Sequence, residues 1–241
     1  MMVLWLSGLQ IKVCRCSQTL IFNVLLVFIT TLLFSVSVNA DTGRASGLDY
    51  DARLCAAEVR IISDDLKLLL FSDMSDKHVR GLHKRIKSAA ATLAWLCQRY
   101  ALKNESSPQF IDKKIQIFID HYYRNNLESA YAAASELVDL TPINYSSMMP
   151  NKASKKSLLI GKSIYVKYCS SCHENPNLDI ENPAFSLFAS ARHQPASVFI
   201  SRMIGGVRGT HEIGLRNPLS DSDISAMYAY FLAGNSIKTL N

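Results

Sequence analysis

Apolar residues recur at helical spacing through the first half of the chain. One stripe is Cys55, Val59, Ile62, Leu66 and Leu69, and a second, after the polar segment 72–76, is Leu82, Ile86, Ala90, Leu93, Cys97 and Tyr100. Steps of three and four residues are typical of amphipathic helices, whereas strands alternate apolar and polar residues. The pattern therefore predicts a helical hairpin that turns near residue 76.

Two further stripes predict a second hairpin. They are Ile111, Ile115, Phe118 and Tyr122, then Leu127, Tyr131, Ala134 and Val138, with the polar segment 124–126 between them. Four amphipathic helices can bury their apolar faces against one another as a small bundle. We expect an all-α chain with a helical bundle domain at 41–145, a linker at 146–156 and a second helical domain at 157–241.

Two cysteines lie on the stripes of the first hairpin. Cys55 and Cys97 are each 21 residues from Asp76, so an antiparallel hairpin that turns there brings them level. In an oxidising compartment this predicts a disulfide, worth about 3 to 4 kcal/mol for a loop of this length. The alternative is a pair of buried free thiols.

The first 40 residues have the pattern of a targeting segment. Lys12 and Arg15 precede an apolar stretch at 20–38, and Val38-Asn39-Ala40 offers small residues for cleavage. This predicts a signal peptide at 1–40 and export to the periplasm. The stretch is also near the length that spans a bilayer, so an uncleaved membrane anchor is the alternative.

The net charge of the chain and its distribution limit the classes of binding partner. The formal net charge is +6, and residues 151–241 carry ten basic against six acidic side chains. The basic residues form no long run, which disfavours nucleic acid. A mildly basic surface that includes Lys152, Lys155 and Lys156 suits transient docking on an acidic or membrane-bound redox partner, although these lysines also fit a solvated linker.

The candidate chemistry lies in a C-x-x-C-H pentapeptide, Cys169-Ser170-Ser171-Cys172-His173. The two thiols can each add to one vinyl group of a porphyrin, and the imidazole then serves as the proximal iron ligand. A redox C-x-x-C pair would be expected between a strand and a helix, and a zinc site would need further ligands at short spacing. Neither context is visible, so the motif predicts one covalently attached haem c.

The residues around this motif are also distinctive. Gly161 stands eight residues before Cys169, Tyr165 stands four before it, and Met227 and Tyr230 are three apart near the end of the chain. Residues 157–235 thus resemble a class I cytochrome c. The resemblance implies that a helix carrying Gly161 and Tyr165 crosses closely over a C-terminal helix, which Ser220 or Asp221 would cap and Gly234 would end.

The resemblance also implies further site residues. The carbonyl of a proline, Pro183 in preference to Pro176, would accept the hydrogen bond of the His173 ring, and Phe185 and Phe188 would be wall residues unless they serve ordinary core packing. Arg208 and Arg216 would pair with the propionates, or remain solvated loop charges.

The distal ligand departs from the family pattern, which places a methionine in the loop before the C-terminal helix. Here His211 stands ten residues before Asp221 in a glycine-rich loop and is the first choice. Met203, on a helix predicted at 196–204, is the alternative, and an open iron site is the third possibility.

These observations predict an exported monohaem cytochrome c that transfers single electrons between redox partners and is not an enzyme. No nucleophile or acid–base pair stands out, and His78, His83 and His121 form no close-spaced cluster with acids or cysteines. The alternatives are a haem-based ligand sensor or peroxidase-like enzyme with His211 as a distal group, and a cytochrome subunit of a larger redox complex.

Overall fold

The computed structural model describes residues 47–104, 107–150, 152–181, 183–206 and 219–234. Within these ranges the chain is helical and contains no strand, which confirms the predicted all-α class. The predicted targeting segment 1–40 and the predicted site residues Arg208, His211 and Arg216 lie outside the described residues. No helix in the described ranges is long and apolar enough to cross a membrane.

The N-terminal helices are α1 (Gly47–Phe71), α2 (Asp76–Lys103), α3 (Pro108–Tyr123) and α4 (Leu127–Leu140). Short polar segments separate them, and local signals set their starts. Ser75 and Asn126 accept hydrogen bonds from amides of the first turns of α2 and α4, and Pro108 opens α3. Such caps satisfy amides that have no partner within the helix, and proline at the first position has no amide to satisfy.

The apolar stripes of α1–α4 meet in one core. α1 packs on α2 and α4, and α3 packs on the same two helices. The side chains with no exposed surface in this core include Cys55, Leu66, Ile86, Leu93, Cys97, Ile115 and Phe118. Cys55 and Cys97 form a disulfide with their Cα atoms 5.0 Å apart, which confirms the bridge expected from the hairpin register.

The C-terminal helices are α5 (Lys155–Tyr168), the single turn α6 (Ser170–His173), α7 (Leu187–His193), α8 (Ala196–Gly205) and α9 (Asp221–Ala233). Ser154 and Ser220 begin α5 and α9 with capping boxes, and Gly234 ends α9 with a φ of 63°. This φ lies in the left-handed region that glycine adopts without a steric penalty. The ends expected for the C-terminal helix are therefore confirmed.

α5 and α9 cross at a point of close backbone approach. Gly161 lies directly against the backbone of Ala226 and the side chain of Tyr230. The Tyr165 ring packs in the same crossing, with its centroid 5.8 Å from that of Tyr230 and 5.6 Å from that of Phe231. Gly161 and Tyr165 therefore both lie in the contact between α5 and α9.

The N-terminal and C-terminal helices contact each other extensively, and the described residues belong to one compact unit. α1 packs along α8, where Arg202 pairs with Asp64 at 2.9 Å and with the buried Asp65 at 2.8 Å. Met148, within the predicted linker, is buried against the core of the C-terminal helices. The domain boundaries at 145 and 157 stay predictions. Because the N-terminal and C-terminal helices are in contact, α1–α4 can influence a site in the C-terminal half.

Candidate functional site

The pentapeptide forms the junction between α5 and α6. Cys169 ends α5, its amide donating to the Tyr165 carbonyl at 2.9 Å, and its own carbonyl accepts from the His173 amide at 3.1 Å. This single helical turn directs residues three apart to the same side. The spacing therefore places the two cysteines at the start and within one turn, immediately before the imidazole.

Both cysteines of the motif are free thiols, but their surroundings differ. Cys172 is exposed, whereas Cys169 is partly buried. Burial, with a smaller effect of Cys172, raises the pKa of the Cys169 thiol to about 11. Thiol–disulfide oxidoreductases need a nucleophilic cysteine with a lowered pKa. The environment of Cys169 is the opposite of what that alternative requires.

The zinc alternative can also be compared with the structure. Across the part of the chain that the structure describes, no group of three or more His, Cys, Asp or Glu side chains is arranged to hold a metal ion.

His173 has a defined hydrogen-bond partner. Its Nδ1 lies 2.6 Å from the carbonyl oxygen of Phe185, and because a carbonyl oxygen only accepts, Nδ1 carries the proton. In a neutral imidazole the other nitrogen, Nε2, then has its lone pair available for a metal. The ring is thus held in the tautomer that a proximal ligand needs.

The acceptor is not the one expected. We expected the Pro183 carbonyl, and the structure uses Phe185, two residues further along the chain. Phe185 stands two residues before α7, and tertiary contacts set which carbonyl of this segment faces the imidazole, among them the contact of the Phe185 ring with His78. Pro183 itself is buried, and Pro176 is exposed.

The segment between His173 and α7 exposes large apolar side chains. Leu178, Ile180 and Phe185 are 68%, 49% and 53% exposed. Phe188, the other expected wall residue, instead packs in the crossing, with its ring centroid 5.4 Å from that of Tyr165 and 5.3 Å from that of Phe231. For Phe188 the structure favours the core-packing alternative.

Of the candidate distal ligands, one is described. Met203 lies on α8 and is partly buried against the core of the C-terminal helices. Arg208 and His211 fall outside the described residues, as noted above.

Residues of α2 that the sequence did not single out for this site lie against the 178–185 segment. Lys77 donates from Nζ to the Leu178 carbonyl, and the His78 ring centroid is 5.0 Å from that of Phe185. The sequence showed only that His78 forms no close-spaced cluster with acids or cysteines. These partners are about 100 residues apart, and no local pattern signals such a contact.

Comparison of the chain with protein-family models, with curated proteins and with solved structures found no match.

Proposed function

We propose that this protein is an exported c-type cytochrome that carries one covalent haem and transfers single electrons between redox partners in the periplasm. The observation that carries the proposal is the C-x-x-C-H turn whose imidazole donates from Nδ1 to a backbone carbonyl, leaving Nε2 for iron. Residues 157–235 would form a class I cytochrome c domain, and α1–α4 a bundle of two hairpins.

The residues present fit a covalently bound haem. Cys169 and Cys172 would each add a thiol across a vinyl double bond, with the sulfur bonding one carbon and the proton going to the other, so no oxidant is required. The exposed apolar side chains of Leu178, Ile180 and Phe185 offer surface that an apolar ring would cover. Bound haem would supply an iron that alternates between ferrous and ferric states.

Two further features support electron transfer, namely the residues that would be axial ligands and the positive charge of α5. His173 would hold one axial position in a fixed tautomer, while His211 or Met203 would supply the other. α5 carries Lys155, Lys156, Lys162 and Lys167 and no acidic residue, and it ends at the pentapeptide. A cationic helix beside the attachment site favours an acidic redox partner.

The Cys55–Cys97 bridge supports export, because disulfides persist in oxidising compartments such as the periplasm. Residues 1–40 would then act as a signal peptide, or residues 20–38 would remain as a membrane tether.

The test is covalent haem in the protein matured in a periplasm that carries out haem c attachment. Haem should stay with the chain through a denaturing gel, and the chain mass should rise by that of one haem. The double variant Cys169→Ala, Cys172→Ala should lose the stain, whereas Ser171→Ala, within the same turn, should keep it. Unmodified protein without covalent haem would overturn the proposal.

Spectra of the same samples distinguish the distal ligands. With His211 bound, the ferric protein should be low-spin without the near-infrared methionine-to-iron charge-transfer band, and His211→Met should introduce that band. If the unmodified protein has the band and Met203→Leu removes it, Met203 is the ligand instead. High-spin iron would favour a ligand-binding sensor or peroxidase-like function.

A further inference from the structure

The first turns of α2 hold the 178–185 segment at several points. Lys77 donates from Nζ to the Leu178 carbonyl. Glu181 forms two ion pairs, one from its Oε1 to Arg80 Nε at 3.3 Å and one from its Oε2 to Lys84 Nζ at 2.6 Å. The hydrogen bond from Lys84, opposed by desolvation and reinforced by Arg80, holds the pKa of the Glu181 carboxyl below its ordinary value. The carboxylate is therefore ionised at neutral pH, as both ion pairs require.

A ring contact extends this attachment to the acceptor of the His173 hydrogen bond. The His78 ring lies with its centroid 5.0 Å from that of Phe185 and its plane tilted by 54°. The carbonyl of the same Phe185 accepts from His173 Nδ1 at 2.6 Å. A continuous series of contacts thus runs from α2, through Phe185, to the imidazole.

Apart from the buried Pro183, the segment has little burial of its own to hold it. Residues 174–180 are exposed, and the Phe185 side chain is 53% exposed. A segment that buries few side chains opens easily unless polar contacts hold it. The contacts from α2 can therefore determine the position of the Phe185 carbonyl.

We propose that α2 is a positioning element of the haem site, in which His78, Arg80 and Lys84, the last two through Glu181, fix the Phe185 carbonyl and so the orientation and basicity of His173. The inference rests on the proposed function and adds a role for α2. The hydrogen bond on the outer nitrogen of a metal-bound imidazole orients the ring and increases its basicity. Ferric iron prefers the more basic ligand, so this contact sets part of the reduction potential.

Two variants weaken the attachment from different sides. Glu181→Gln removes both ion pairs while keeping the side-chain shape, and His78→Ala removes the ring contact with Phe185. In haem-loaded protein we expect amide exchange in residues 178–186 to quicken by about two- to fivefold. We also expect the midpoint potential to rise and the hyperfine-shifted haem methyl resonances, which report the orientation of the axial imidazole, to move.

Two matched variants are the controls. His78→Phe keeps an aromatic ring against Phe185 and should restore the unmodified potential and resonances. Lys114→Gln removes a comparable ion pair, Lys114 Nζ to Glu136 Oε2 at 2.5 Å, on the outer helices α3 and α4. It should change neither readout.

The outcomes separate the two proposals. A haem-stained gel of every sample comes first, and absence of haem from the unmodified protein overturns the proposed function. If haem is attached and amide exchange quickens while the potential and resonances stay unchanged, the contacts only stabilise the segment and the positioning role is wrong. Unchanged values in all three measurements for both Glu181→Gln and His78→Ala overturn it as well.

Discussion

Replacing Gly161 by alanine tests the close crossing of α5 and α9. A Cβ at Gly161 would lie 2.3 Å from the Ala226 carbonyl oxygen and 2.8 Å from the Tyr230 Cβ. Neither atom can rotate away, because one belongs to the backbone and the other is fixed to it. The helices must therefore move apart.

The loss of stability follows from two unfavourable effects and one favourable effect. Overpacking a tight contact costs about 1–3 kcal/mol, and the rigid partners place this site near the upper end. Helix separation also weakens the contacts of Tyr165 and Phe231, because a gap of about 0.5–1 Å forfeits a quarter to a half of the dispersion attraction. Alanine regains about 1 kcal/mol of helix propensity. The net loss should be about 2 kcal/mol of unfolding free energy.

Thermal unfolding followed by circular dichroism measures this change. For a protein of this size about 2 kcal/mol corresponds to a fall in Tm of about 4–8 °C. Ser163 lies on the exposed face of the same helix, so Ser163→Gly and Ser163→Ala together measure the propensity difference without the clash. Ser163→Ala should be the more stable of that pair.

A Gly161→Ala protein at least as stable as the unmodified protein would refute this reasoning. It would mean that α5 and α9 are not in contact at Gly161. Alanine should be more stable than glycine at position 163 but less stable than glycine at position 161. Even a small loss of stability in Gly161→Ala would support the crossing, because helix propensity alone predicts a gain.

Two further predictions concern the N-terminal helices. Replacing Cys55 and Cys97 by alanine should lower the unfolding free energy by about 4 kcal/mol in urea unfolding, from the chain-entropy relation for a separation of 42 residues; equal midpoints for the oxidised and the variant protein would contradict it. Burial, with smaller effects of neighbouring charges, raises the pKa of Tyr122 to about 12. The pKa of Tyr122 is thus higher in the folded than in the unfolded protein. Its contribution to the unfolding free energy is therefore complete below about pH 10 and is lost as pH rises towards 12, by at most about 1.4 kcal/mol per pH unit. Thermal unfolding across this range should show a shallower decline for Tyr122→Phe, while the same change at the exposed Tyr168 should leave the decline unaltered.

Short-range patterns accounted for the helices and the bridge. Apolar spacing predicted the helical class, and Ser220 and Gly234 marked the ends of α9. The disulfide followed because Cys55 and Cys97 are the same number of residues from Asp76, where α2 begins. Each inference depended on residues close in sequence or on one hairpin turn, and helix geometry then sets the distances.

The acceptor of the His173 hydrogen bond shows where such reasoning stops. The resemblance pointed to the Pro183 carbonyl, whereas the structure has the Phe185 carbonyl as the acceptor. Which carbonyl faces the ring depends on long-range contacts of this segment, among them those of Lys77 and His78 on α2.

The sequence by itself determined the helical class, the Cys55–Cys97 register and the C-x-x-C-H motif, since all three depend on local spacing. Only the tertiary structure decided that α1 packs on α8, and that Arg80 meets Glu181 across 101 residues of chain. Such contacts arise when separate amphipathic helices bury their remaining faces together, and one helix sequence is compatible with many partners. Their selection depends on the packing of the whole chain.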